Sequence, residues 1–100
     1  MATSINGSSL EFNGKPMFIV KDVVVNTSVT INGDGYANVA SYIPSISGYT
    51  LINTSIVTWD TGEIYGITAN GVYLWGKPNS SISKPTIRYI FINSNNYATQ

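Results

Sequence analysis

The sequence predicts an all-β domain: an antiparallel β-sandwich or jelly-roll-like barrel of about seven to eight short strands. Three observations lead there. Two stretches, Val23–Ile31 and Thr86–Asn93, alternate apolar and polar residues with the period of two that a half-buried strand requires. Asn-Gly pairs at Asn13-Gly14 and Asn70-Gly71 punctuate β-branched and aromatic runs, as hairpin turns do. No segment carries a helical period, and no repeat of 20–50 residues or interdomain linker interrupts the chain. Residues 1–100 are therefore read as one domain, with a polar lead-in over 1–9 and a polar tail over 94–100.

In chain order, Ser9–Phe12 and Met17–Val20 flank Asn13-Gly14 as a hairpin. Pro16 lacks an N–H and so places that hairpin at a sheet edge. In Val23–Ile31 the residues Val23, Val25, Thr27, Val29 and Ile31 share one face, and the stretch reads as a single strand. Asn32-Gly33-Asp34-Gly35 is a turn, and 36–43 the returning strand, closed by Pro44. Tyr49–Trp59 alternates imperfectly. Tyr49, Leu51, Val57 and Trp59 share a parity that Asn53 and Ser55 interrupt, so a strand buried on both faces or a bulge near 53–55 fits equally. Gly76–Pro85, between two Lys-Pro pairs, reads as a loop, and Thr86–Asn93 as the last strand.

The stretch Ser47–Gly76 holds both tryptophans and the clearest hairpin. A type I′ turn at Asn70-Gly71 would pair Ala69 with Val72, Thr68 with Tyr73, Ile67 with Leu74 and Gly66 with Trp75. One face then carries Tyr65, Ile67, Ala69, Val72 and Leu74, and the other Ile64, Gly66, Thr68, Tyr73 and Trp75. Trp75 opposite a glycine has room to lie across the neighbouring strand.

Composition narrows the chemistry. Charged residues are 10% of the chain, and 11 Asn, 12 Ser and 10 Thr take their place, so the surface is polar but nearly uncharged. Net charge is zero and the basic residues are scattered, so no stripe exists to track a phosphate backbone. No apolar run approaches the ~20 residues that span a bilayer, and Met1-Ala2-Thr3-Ser4 does not read as a secretory signal. Neither nucleic acid nor membrane insertion is expected. The absence of His removes the commonest general base and any Ser-His-acid triad, and the absence of Cys removes thiolate metal sites. Asp60 and Glu63 are the one carboxylate pair worth considering for glycoside hydrolysis, but both stand in a turn where water keeps carboxylates ionised. Asn32–Gly35 lacks the later acidic ligands of a calcium loop. Sequons at Asn6, Asn26, Asn53 and Asn79 arise easily in so Asn- and Ser-rich a chain. No enzyme, metal or cofactor is expected.

Aromatic residues concentrate mid-chain. Flat rings beside amides and carboxylates suit sugars, whose C–H faces stack while their hydroxyls hydrogen-bond. The expected ligand-binding residues are Trp59, Asp60, Tyr73 and Trp75. Trp59 ends its strand before a turn with Asp60 as a neighbouring acceptor, while Tyr73 and Trp75 face only Gly66 and Thr68 across the hairpin. The alternative for each ring is burial in a core or subunit interface.

Gly48-Tyr49 opening a strand, Thr58-Trp59 closing it, a Gly-bracketed hairpin and a final strand ending Tyr89-Ile90-Phe91-Ile92 complete the pattern. Over roughly 23–93 it resembles the small all-β modules of tailed-phage tail fibres, baseplates and receptor-binding proteins. That resemblance implies a non-catalytic virion protein assembled in the host cytoplasm. It also implies a homotrimer that contacts other virion proteins and binds a host-surface saccharide. The chain departs from the pattern in carrying no fibre shaft. A purely structural role in tail, baseplate or capsid decoration, or a free-standing carbohydrate-binding domain, is the alternative.

Overall fold

The computed structural model describes residues 14–95 throughout and, before them, the backbone of strands β1 (Thr3–Asn6) and β2 (Ser9–Phe12). The remaining strands are β3 (Lys15–Pro16), β4 (Phe18–Val24), β5 (Ser28–Ile31), β6 (Tyr36–Asn38), β7 (Tyr49–Thr58), β8 (Ile64–Ile67), β9 (Tyr73–Gly76), β10 (Ser80–Ser83) and β11 (Thr86–Asn93). Every pairing between them is antiparallel. The helical content among the described residues is a single 3-10 turn, Ala40–Tyr42. The predicted all-β antiparallel sandwich is the observed class.

One layer is the sheet β4-β11-β7; the facing layer combines β10-β5 with β6-β9-β8. Both contribute to one core. Ile87, Tyr89 and Phe91 enter it from the first layer, and Val29, Ile31, Ile82, Ala37 and Leu74 from the second. The small sheet β1-β2-β3 precedes β4 and contains no strand of either layer.

β11 sits at the centre of its layer and spans the predicted Thr86–Asn93. Ile87, Tyr89, Phe91 and Asn93 are buried, and the alternate residues are half-buried on the outer face. β7 follows it through two register shifts. Ile87 pairs with Ile56 but Thr86 with Thr58, and Ile90 pairs with Asn53 but Phe91 with Leu51. The extra residues are Val57 and Ile52, which flank the 53–55 segment where the sequence left a bulge open. These bulges bring Tyr49, Leu51, Thr54 and Ile56 onto the β11 core rows despite their mixed parity.

The predicted single strand Val23–Ile31 is two strands. Val23, Val25, Val29 and Ile31 of the predicted inward face do reach the core, with Val25 and Ile31 fully buried, but Thr27 is exposed, because the chain passes from one layer to the other between β4 and β5. β10 and β11 make the same passage alongside, so a long two-stranded ribbon folds over the core edge. At the corner three residues, Val25–Thr27, face two, Lys84 and Pro85. Val25 N–H donates to Pro85 O (2.9 Å) and Lys84 N–H to Thr27 O (3.1 Å), which holds the bend. Lys84 takes a positive φ of 50° there.

Four other expectations are corrected. The 36–43 segment is a short strand followed by the 3-10 turn, and it pairs with β9 rather than returning along Val23–Ile31. The 76–85 loop contains β10, whose single apolar residue, Ile82, is fully buried. The 1–9 lead-in contains β1, and β2 closes onto Lys15–Pro16 instead of 17–20. Asn13 of the first Asn-Gly pair and residues 96–100 of the tail lie outside the described residues.

Two polar features of the β11 sheet generate predictions. The Tyr89 hydroxyl is buried with no hydrogen-bond partner among the described residues, and this desolvation pushes its pKa up to about 12. Replacing it by Phe removes an unsatisfied oxygen without opening a cavity, so Tyr89→Phe is expected to gain about 1 kcal/mol in urea unfolding. A loss of similar size would mean that the hydroxyl is satisfied. On the outer face Arg88 forms a bidentate pair with Asp22 (Nε–Oδ1 2.9 Å, Nη2–Oδ2 3.0 Å). The Arg88 hydrogen bonds hold the Asp22 carboxyl below its ordinary 3.8. A carboxyl lowered on folding adds stability above its unfolded value, and that addition fades as pH falls through the folded value. Stability of the wild type is therefore expected to fall more steeply on acidification than that of Asp22→Asn. The difference is small, because the pair is exposed, and shrinks further in high salt.

Candidate functional site: an exposed aromatic cluster

β9 pairs with β6 on one side and β8 on the other. Its four residues alternate strictly: Leu74 and Gly76 are buried, Tyr73 and Trp75 exposed. Leu74 is the reason. It is wholly enclosed in the core, opposite Ala37 on β6 and Ile67 on β8, and a two-residue period then turns its neighbours outward. The predicted pairs Gly66–Trp75 and Ile67–Leu74 are both present.

The hairpin's register is as expected but its turn is not type I′. Gly71 has a positive φ of 75°, whereas Asn70 does not. Gly71 N–H donates to Thr68 O (2.9 Å), and Thr68 N–H to Tyr73 O (3.0 Å), leaving Ala69–Val72 as the loop. Side chains replace the missing ladder bonds. Asn70 Oδ1 accepts from Thr68 Oγ1 (2.7 Å) and Val72 N–H (3.1 Å), and Thr68 Oγ1 accepts from Tyr73 N–H (3.0 Å). The loop is also tethered to β7 by Thr54 Oγ1 donating to Ala69 O (3.0 Å). A Cβ on Gly71 would crowd Thr54, Tyr89 and Ile43 at 3.2–3.3 Å. The turn is thus shaped by the core beneath it, and the expected pairing of Ala69 with Val72 is absent.

β8 carries a bulge at Tyr65, between the pairs Ile64–Gly76 and Gly66–Trp75. It lets Ile64 and Ile67, of opposite parity, both pack against the core. Tyr65 is left 64% exposed, contrary to its assignment to the Ile67/Leu74 face. Its hydroxyl reaches Glu63 Oε2 at 3.4 Å.

The residue missing from the sequence reading is Tyr36. Through the register Tyr36–Trp75 and Asn38–Tyr73, β6 sets the Tyr36 ring between the other two. Its centroid lies 5.3 Å from that of Tyr73 in an edge-on contact (81°) and 5.3 Å from the Trp75 ring at 55°. Tyr36, Tyr73 and Trp75 line an open cleft of about 250 Å³. Trp75 is 40% and Tyr73 38% exposed, with Tyr36 half-buried between them. Gly66, across from Trp75, has open space above it. Asn38, beside Tyr73, uses Oδ1 to accept from Ala40 N–H (3.0 Å) and keeps its amide NH2 as a donor.

Trp59 and Asp60 stand elsewhere. They follow β7, which ends at Thr58 rather than at the predicted Trp59, and the chain there is fastened to β10: Asp60 N–H donates to Ser83 O (2.8 Å), and Thr61 bridges to Ser83. Trp59 Nε1 donates to Gly62 O (2.9 Å), within its own turn. Gly62 has a φ of 112°, and a Cβ there would stand 2.6 Å from Ser81 O. Neither Trp59 nor Asp60 lines the cleft. Of the four expected residues, the fold gathers Tyr73 and Trp75 and separates Trp59 and Asp60 from them.

Asp60 and Glu63 are both exposed. Among the described residues no cluster of three or more acidic ligands could hold a metal ion, Asp34 included. The ring cluster can stack a flat, weakly polar ligand and offer hydroxyl and amide hydrogen bonds at its rim. Comparison with protein-family models, curated proteins and solved structures finds no match to this chain.

Proposed function

We propose that this chain is a non-enzymatic, saccharide-binding module of a phage virion, and that Tyr36, Tyr73 and Trp75 form its sugar-stacking surface. The observation that carries the reading is the ring cluster itself. Three aromatic side chains converge on the outward face of a sheet, each beside another, over an open cleft and with no charged side chain lining it. A ring buried for stability would lie on the Leu74 side of β9; these lie on the other. Sugar C–H faces stack on such rings, and the tyrosine hydroxyls and the Asn38 amide supply rim hydrogen bonds. Each ring contributes about 1 kcal/mol of stacking. Useful retention on a cell would then come from several copies acting together, as on a virion. The virion setting rests on the resemblance of the 23–93 pattern to tail-fibre and receptor-binding modules, which also carries the host-surface partner and the absence of catalysis.

A purely structural virion role is the second reading. It is favoured by a different observation, the exposed Phe18, Val20 and Val24 on the outer face of β4, which suit packing against a neighbour.

The test compares Trp75→Ala with Trp59→Ala in a pull-down of purified protein on intact bacterial cells and extracted wall polysaccharide. Trp75→Ala is expected to keep its melting temperature and lose about tenfold or more in retention, since one 1.4 kcal/mol step is a factor of ten. Trp59→Ala is expected to retain binding. Equal binding by wild type and Trp75→Ala would remove the proposed surface. No binding by the wild type would leave the structural reading in its place.

A further inference from the structure

We infer that the outer face of the β4-β11-β7 sheet is a contact between two copies of this chain, stacked face to face about a two-fold axis. The opposite side of this sheet covers the core, so the outer side is what the layer presents to its surroundings. Across it run two apolar rows: Phe18 beside Ile92, and Val20 beside Ile90. The bulge residue Ile52 adds to them on β7, and Val24 lies on the same face of β4 beyond the Asp22–Arg88 row. Phe18, Val20 and Val24 are 50%, 56% and 54% exposed, among the largest apolar exposures of the described residues. Singly exposed apolar side chains are ordinary, but a contiguous set on one sheet face marks an interaction surface.

Charge favours a second copy as the occupant. A two-fold axis sets an unpaired charge that lies close to it near its own duplicate, which repels. Here the ionic residues of the outer face, Arg88 and Asp22, close on each other in a bidentate pair, so the face is neutral toward its own image. A basic or acidic partner would find no complementary charge on it.

Area sets the strength. Eight residues at about 3.3 Å each and three strands about 4.8 Å apart give a footprint of roughly 400 Å². The accessible area exceeds the footprint because side chains stand above the sheet. Two copies therefore bury close to about 1,000 Å², the lower bound of a specific interface, so the dimer is weak and concentration-dependent. Face-to-face contact is isologous and closes at two. Strand-edge pairing is the less favourable route, because Lys21 and Asp22 sit mid-strand on the free edge of β4. The aromatic cluster stays open in such a dimer, since it lies on the outward face of the facing layer.

Sedimentation velocity over a concentration series reaching about 1 mM tests this with the whole chain. A monomer–dimer equilibrium is expected, weakened at least about tenfold by Val20→Lys and by Ile90→Lys, and unchanged in Trp75→Ala. Both lysine variants are checked for an unaltered circular dichroism spectrum. Ile90 is on the central strand, so its substitution spares the β4 edge. Should Ile90→Lys fail to fold, Val24→Lys takes its place. A wild type that stays monomeric, a trimer, or a dimer indifferent to the folded lysine variants would each overturn the inference. A dimer with no cell binding leaves the inference standing and removes only the saccharide reading.

Discussion

The alternation of β11 governs most of what this molecule does with its side chains. A central strand hydrogen-bonded along both edges cannot slip without moving both neighbours, and a one-residue slip would turn Ile87, Tyr89 and Phe91 out of the core together. β7, with apolar residues of mixed parity, yields to that register by bulging at Ile52 and Val57. β4 keeps a regular ladder and bends only where β11 itself begins, at the corner shared with Lys84 and Pro85. The facing layer then closes over the same row, and the turn at Gly71 lies against Tyr89. The ring cluster is the far end of this chain of constraints. Leu74 must reach the core that β11 organises, so Tyr73 and Trp75 must point away from it.

Much of this was legible wherever period and local turn chemistry agreed. Thr86–Asn93 was readable to its ends, because its alternation is unbroken and Pro85 marks its start. The Ile67–Leu74 and Gly66–Trp75 pairs followed from the Asn-Gly position, and so did the shared face of Tyr73 and Trp75, but which face is buried was left open by the pattern and is set by Leu74 in the core. What local pattern could not convey was non-local pairing. Val23–Ile31 reads as one strand because its inward residues continue in phase across the corner. The layer change leaves no mark in that pattern: Asn26 on the polar parity and Thr27 on the apolar one are ordinary strand residues, and both are exposed at the corner. β10 was hidden because Ser80–Ser83 has one apolar residue, Ile82, between two prolines, a composition that local rules assign to a loop. Its strand character comes from β5, not from itself.

The site was half legible for the same reason. Trp75 and Tyr73 are two apart on one strand, so sequence alone places them together. Tyr36 joins them only because β6 pairs with β9, a partner 37 residues away by the Tyr36–Tyr73 ring contact. Trp59 and Asp60 looked similar to Trp75 in sequence terms: an aromatic ring at a strand end beside a polar turn. The difference lies in Gly62, whose carbonyl occupies the Trp59 indole N–H and whose close approach to Ser81 presses that turn onto β10. One tryptophan fastens a turn, and the other stands over a cleft.

This contrast gives the most direct test of the account, because the chain contains two tryptophans. Each indole N–H gives its own cross-peak in a nitrogen–proton correlation spectrum, assigned with the single Trp→Phe variants. The measurement is a titration of the labelled protein with fragmented bacterial wall polysaccharide. The account predicts that the Trp75 resonance shifts progressively to saturation, while the hydrogen-bonded Trp59 resonance stays in place. A shift of Trp59 with Trp75 unmoved would contradict it, as would two unmoved resonances at polysaccharide concentrations where the protein is retained on cells.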